Sequence, residues 1–105
     1  MSGSRLDAMR AMAEKNPNNA LARFGLANEL IKVEQFEEAR AELNAYLSLY
    51  DDEGAGFRQL ATACEKLGLV DDARDAYRRG IDAATRHNHP SMVDEFTAKL
   101  EDLED

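Results

Sequence analysis

Slid along itself by 34 positions, the chain meets its own pattern. Leu26 falls on Leu60, Ala27 on Ala61, Lys32 on Lys66, Ala39 on Ala73 and Arg40 on Arg74. The same shift lays Val33, Phe36, Leu43 and Leu47 over Leu67, Val70, Tyr77 and Ile81. A period of this length marks one supersecondary unit repeated in tandem. The alanines give the unit its shape: Ala27 and Ala39 are twelve apart, as are Ala61 and Ala73. Each couple places one small residue on each helix of a hairpin, where two backbones can approach closely. Leu26, Leu30, Phe36 and Leu43 close one interface, and Leu60, Cys64, Val70 and Tyr77 close the next. Neither hairpin has enough core to stand alone, so the copies must stack and share a seam.

Apolar residues recur at helical spacing almost throughout, and no segment alternates as a strand would. The pattern predicts six helices, over about 4–15, 20–33, 36–50, 54–67, 70–87 and 91–103. Asn16 ends the first, because the residue before Pro17 is pushed out of the helical region. Asn18 or Asn19 can cap the second. Gly68 suits the left-handed end of the fourth. Ser91 with Asp94 has the spacing of a capping box for the sixth. The acidic turn Asp51-Asp52-Glu53 reads as solvated. Loops of two to four residues make neighbouring helices antiparallel.

Charge and composition narrow the function. Thirteen basic against twenty-one acidic residues leave a net charge of −8, which repels phosphate backbones and anionic lipid. Neither nucleic acid nor a membrane is expected as a partner. No apolar run approaches the ~20 residues that span a bilayer. The single cysteine, Cys64, fits no zinc spacing and sits at a core position as a small apolar side chain. The expected setting is a reducing cytoplasm. His87 and His89 flank Asn88 near Asp82 and Asp94, but histidines two apart across a helix break do not share a face. A solvated loop, not a metal site, is expected there. Asp51–Glu53 lacks the loop length and alternating ligands of a calcium site. No nucleophile elbow, phosphate-binding glycine loop or dinucleotide fingerprint occurs. The sequence predicts no catalytic residue, no cofactor and no enzyme.

The 34-residue period, the Leu-Ala pair, the apolar residue ten positions later and the Ala that follows resemble the tetratricopeptide repeat (TPR). Asn16-Pro17-Asn18-Asn19 looks like the Pro-containing boundary between such repeats. Residues 5–19 then resemble the second helix of a partial repeat, 20–53 and 54–87 two full repeats, and 88–105 a capping helix. Glu34 stands where the inter-helix Gly is usual, and Tyr46 and Gly80 where a small Ala is usual. Arg23 occupies the position of an expected aromatic, which Phe57 supplies in the second repeat. The resemblance implies an all-α, right-handed α-solenoid of antiparallel helix hairpins. It also implies a protein- or peptide-binding role, with a concave groove lined by the first helix of each repeat.

Carried onto this sequence, the groove positions are Leu21, Phe24, Asn28, Ile31 and Lys32, then Ala55, Arg58, Thr62, Glu65 and Lys66. The groove is expected to be apolar at one end and basic at the other, where Lys32, Arg58 and Lys66 gather. An apolar peptide with some acidic character would suit it. Phe24 has two possible placements, in the groove or turned inward to replace the aromatic missing at position 23. Repeats that grip a C-terminal carboxylate use a Lys and an Asn four apart on the first groove helix, and bases on the third. Asn28 matches, but Phe24 replaces the Lys, and the sixth helix offers Asp94 and Glu95. A carboxylate clamp is not expected. The alternative is self-association: Leu6, Met9 and Met12 form a stripe on a helix without its repeat partner, and an uncovered stripe can join two copies. The chain is therefore expected to be a monomer or a weak homodimer.

Overall fold

In the computed structural model, which describes residues 2–104 and side chains from residue 5 onward, the chain is a row of six helices. They are α1 (Ser2–Lys15), α2 (Ala20–Lys32), α3 (Phe36–Leu49), α4 (Ala55–Lys66), α5 (Val70–Arg86) and α6 (Pro90–Leu103), and no strand occurs among the described residues. Each helix packs on the one before it and the one after it, and α2 also touches α4. With such short connections every helix must reverse on its predecessor, so α2, α4 and α6 run the same way. The row measures 41 × 27 × 18 Å. Residue 105, the last of the expected capping segment, lies outside the described residues.

The helix ends repeat as faithfully as the alanines. After α2, the N–H of Gln35 donates to the Leu30 carbonyl at 2.8 Å and that of Glu34 to Ile31 at 3.0 Å. After α4, Leu69 donates to Cys64 and Gly68 to Glu65; after α5, His89 donates to Ala84 and Asn88 to Thr85. This double bond is the Schellman closure, and its penultimate residue must be left-handed. Gly68 has φ of 76°, and Glu34 and Asn88 adopt φ of 61° and 60° without being glycine. Glu34 thus accepts the backbone strain that Gly68 avoids, at a cost of about 1–2 kcal/mol.

The four alanines of the repeat, Ala27, Ala39, Ala61 and Ala73, are all fully buried. Around them run two clusters. One joins Ala13, Leu26, Leu30 and Ala39, and closes α1 onto the α2–α3 hairpin. The other runs from Ala27 and Leu43 through Leu60, Cys64 and Tyr77 to Phe96, and joins the five helices α2 to α6. The two positions that lack their usual alanine are each compensated from a neighbouring helix. The Tyr46 ring occupies the space beside Gly56, where a Cβ would come within 2.7 Å of it. Beside Gly80 lies the Phe96 ring, 2.9 Å from where a Cβ would stand. A large residue in one helix is matched by a missing side chain in the next.

Three local expectations are corrected. The α6 N-terminus is capped by neither Ser91 nor Asp94: the helix begins at Pro90, with His89 as its cap residue and no side-chain bond. Proline at the first helical position has no N–H to satisfy and a preset φ, so the start needs no capping box. Val70 is 41% exposed, since it opens α5 at the edge of its hairpin. Asp52 is not solvated but 5% exposed, because three donors converge on it. Asn19 does cap α2, accepting from the Ala22 N–H at 3.2 Å.

Candidate functional site

The first turns of α2, α4 and α6 lie together with the last turn of α3, and they enclose an open cavity of about 430 Å³. Its apolar wall is Leu21, Phe24, Tyr46, Tyr50, Ala55 and Met92. Leu21 is 82% exposed and Tyr50 54%, unusual for large apolar groups unless something covers them. Between them the aromatic rings form a stack. Phe24 lies 4.7 Å from Tyr46, and Tyr46 lies 5.7 Å from Tyr50, centroid to centroid. Phe24 therefore takes both of the places open to it in the sequence: it is half-buried against the core, and its remaining face lines the cavity.

Asp52 fixes this wall. Its Oδ2 accepts the Tyr46 hydroxyl at 2.6 Å, and its Oδ1 accepts the N–H groups of Gly54 and Gly56 at 2.7 and 2.8 Å. One carboxylate thus closes the start of α4 and holds the middle ring of the stack. Burial first, and then this bond, push the Tyr46 hydroxyl pKa well above its ordinary value. The phenol stays protonated and keeps donating. Gly54 has φ of 148°, and a Cβ there would meet the Met92 sulfur at 2.6 Å. Met92 could shift, but this φ is one that side-chain-bearing residues rarely adopt, so the backbone favours glycine here.

Further along the same helices the polar positions are largely satisfied by one another. Asn28 accepts from the Gln59 side chain at 2.8 Å. Arg58 forms a two-pronged pair with Glu95, both bonds 2.7 Å, and its guanidinium lies 5.6 Å from the Phe96 ring centre. That guanidinium holds the Glu95 carboxyl below its ordinary range. The Thr62 hydroxyl donates to the Arg58 carbonyl, and Glu65 accepts the Tyr77 hydroxyl at 2.6 Å. Ile31 is half-buried and packs on both core clusters. Lys32 extends into solvent 3.8 Å from Glu29, while Lys66 borders a separate shallow cavity with Glu65, Glu95 and Lys99. The basic end expected from Lys32, Arg58 and Lys66 is therefore a mixed-charge surface: Arg58 is neutralised by a residue 37 positions away.

On the α1 side, Leu6 and Met9 are half-buried against the first cluster, whereas Met12 is 59% exposed. Met12, Met9 and Leu21 border a further hollow of about 320 Å³ with Gly25 at its floor. Leu21 belongs to both hollows, so the apolar surface is continuous from Met12 to Tyr50. The sequence pattern did not single out Tyr46, Tyr50, Glu53 and Met92 as part of this surface. In the sequence Tyr46 and Tyr50 both continue the apolar stripe of the third predicted helix, and their spacing of four, about one helical turn, is the signal that could have found the stacked pair. Cys64 is buried, and burial pushes its thiol pKa up, which is the environment of an inert cysteine.

No family model matches the chain. A curated protein of Pseudomonas aeruginosa described as TPR repeat-containing is 27% identical to it over 99 residues, covering 94% of each chain. Among the described residues, no helix is long and apolar enough to cross a membrane. The relative's TPR description agrees with the paired alanines, the recurring Schellman closures and the helix-on-helix order, and the chain is an all-helical stack of hairpins similar to such a protein.

Proposed function

We propose that this chain is a non-catalytic protein–protein interaction module that receives a peptide or protein surface on the face built by α2, α4 and α6. Leu21, Phe24 and Ile31 supply apolar burial, and the polar row of Asn28, Lys32, Arg58, Thr62, Glu65 and Lys66 borders it. The observation that carries this reading is the exposed Leu21 and Tyr50 beside a preformed, aromatic-walled cavity. Preformed concave sites with an apolar lining lose little entropy on binding. Because Leu21 is the most exposed of these groups and supports nothing beneath it, it separates binding from folding. Leu21→Ser should weaken binding of a captured protein partner by about 1–2 kcal/mol, the scale of an interface anchor, with no change in thermal midpoint. Unchanged capture by the Leu21→Ser chain would remove this cavity from the site.

The second reading is self-association, and the observation in its favour is Met12, exposed beside Leu21. It requires a mass near twice 11.7 kDa in light scattering, and loss of that dimer in a Met12→Ser variant. The monomer reading requires a mass that does not change with concentration.

A further inference from the structure

The charged side chains that line the aromatic cavity are of one sign. The charged groups of its lining among the described residues are Asp52 and Glu53, with no Lys or Arg. Asp52 is engaged by its three donors. Glu53 has 58% of its side chain exposed and faces only imidazoles, His89 Nε2 at 3.4 Å and His87 Nδ1 at 3.9 Å. The nearby cations are already paired: Arg86 with Asp51 at 3.2 Å, and Arg23 with Glu42 at 2.7 Å. Helix starts usually favour anions, but those of α2 and α4 are closed by Asn19 and Asp52, and at the start of α6 Pro90 has no N–H while those of Met92 and Val93 go to the His89 carbonyl. What the cavity offers a visitor is an exposed tyrosine face, a carboxylate and apolar walls. An aromatic face beside a carboxylate attracts a guanidinium or ammonium group.

We propose that this cavity takes an apolar segment of a partner protein that carries an arginine or lysine. The apolar side chain packs against Leu21, Phe24 and Met92, and the cation lies over Tyr50 beside Glu53. This rests on the reading of the α2–α4–α6 face as a binding site, and it reverses the acidic partner expected from the sequence. A second copy of the chain is a poor occupant, because it brings another net charge of −8 against the same acidic rim, and like charges across an interface disfavour docking.

The test uses the intact chain and three fluorescein-labelled peptides with a central Leu-Phe pair, flanked on both sides by Arg, by Ser or by Glu. Anisotropy titrations at low salt should show the Arg-flanked peptide binding about tenfold tighter than the Glu-flanked one, with the gap closing in ~1 M salt, where charges are screened beyond about 3 Å. Glu53→Gln should narrow that gap, and Leu21→Ser should weaken every peptide that binds. Equal or tighter binding of the Glu-flanked peptide, still lost in Leu21→Ser, overturns the cationic partner and leaves the binding face standing. Absence of binding by all three peptides overturns both, and a dimer that Leu21→Ser dissociates assigns the cavity to a second copy.

Discussion

Replacing Phe96 by Ala should cost about 3–5 kcal/mol, the range for emptying a buried phenylalanine site. Phe96 is the largest fully buried side chain and the one buried residue of α6. Its ring fills the space left by Gly80, lies 6.0 Å from Tyr77 and carries the Arg58 guanidinium over its face. Few other contacts can replace it. Met92, Leu100 and Leu103 are only partly buried, and the C-terminal end of α6 is also tied by Arg74 donating to the Leu103 carbonyl and Arg78 to Glu104. A domain of this size has about 5–15 kcal/mol of total stability, so the loss is a large share of it. The thermal midpoint should fall by well over ~10 °C, and amide protection should vanish from α6 before α2 and α3. A cost under about 1 kcal/mol would mean that α6 does not seal the stack through Phe96.

Asp52→Ala is the second large effect. It leaves the Tyr46 hydroxyl and the Gly54 and Gly56 N–H groups without their acceptor at a position only 5% exposed. A buried donor left unpaired costs about 1–3 kcal/mol. Three share one acceptor and relax together, so the expected total is about 3–4 kcal/mol, read as a drop in urea midpoint. Asp52→Asn keeps one acceptor oxygen and should fall between the two. The Tyr46→Phe variant removes one of the three donors, and in that background Asp52→Ala should cost less. A Tyr46→Phe background that leaves the cost of Asp52→Ala unchanged would show that the hydroxyl bond is not part of the account. Because Tyr46 is the middle ring of the stack, Asp52→Ala should also loosen the cavity wall that Phe24 and Tyr50 share.

The repeat made the fold legible. A 34-residue shift and four alanines are local facts of the sequence, and the structure places all four alanines in fully buried positions. Even Glu34, which breaks the expected glycine, takes the backbone shape of Gly68, because the closure is set by the repeat and not by the residue. The features that stayed hidden are pairs between units. Tyr46 looks oversized until Gly56 is seen beneath it, and Gly80 looks like a weak point until Phe96 fills it. The neutralised Arg58 is of the same kind, since Glu95 sits on another helix 37 positions away. Asp52 stayed hidden for a different reason: its donors lie only two to six residues away across a turn, but a charged residue reads as solvated until a donor or counter-ion is found. The proposed binding face was half legible: Leu21 and Phe24 follow from groove positions, whereas Tyr50 and Glu53 come from the loop after α3.

The most direct test of the binding face is an amide chemical-shift map of the isotope-labelled chain titrated with the Arg-flanked peptide. Shifts confined to Leu21, Phe24, Tyr50, Glu53, Ala55 and Met92 are the result this account predicts. Shifts centred instead on Lys66 and Lys99, or on α1 around Met12 with the cavity silent, would contradict it.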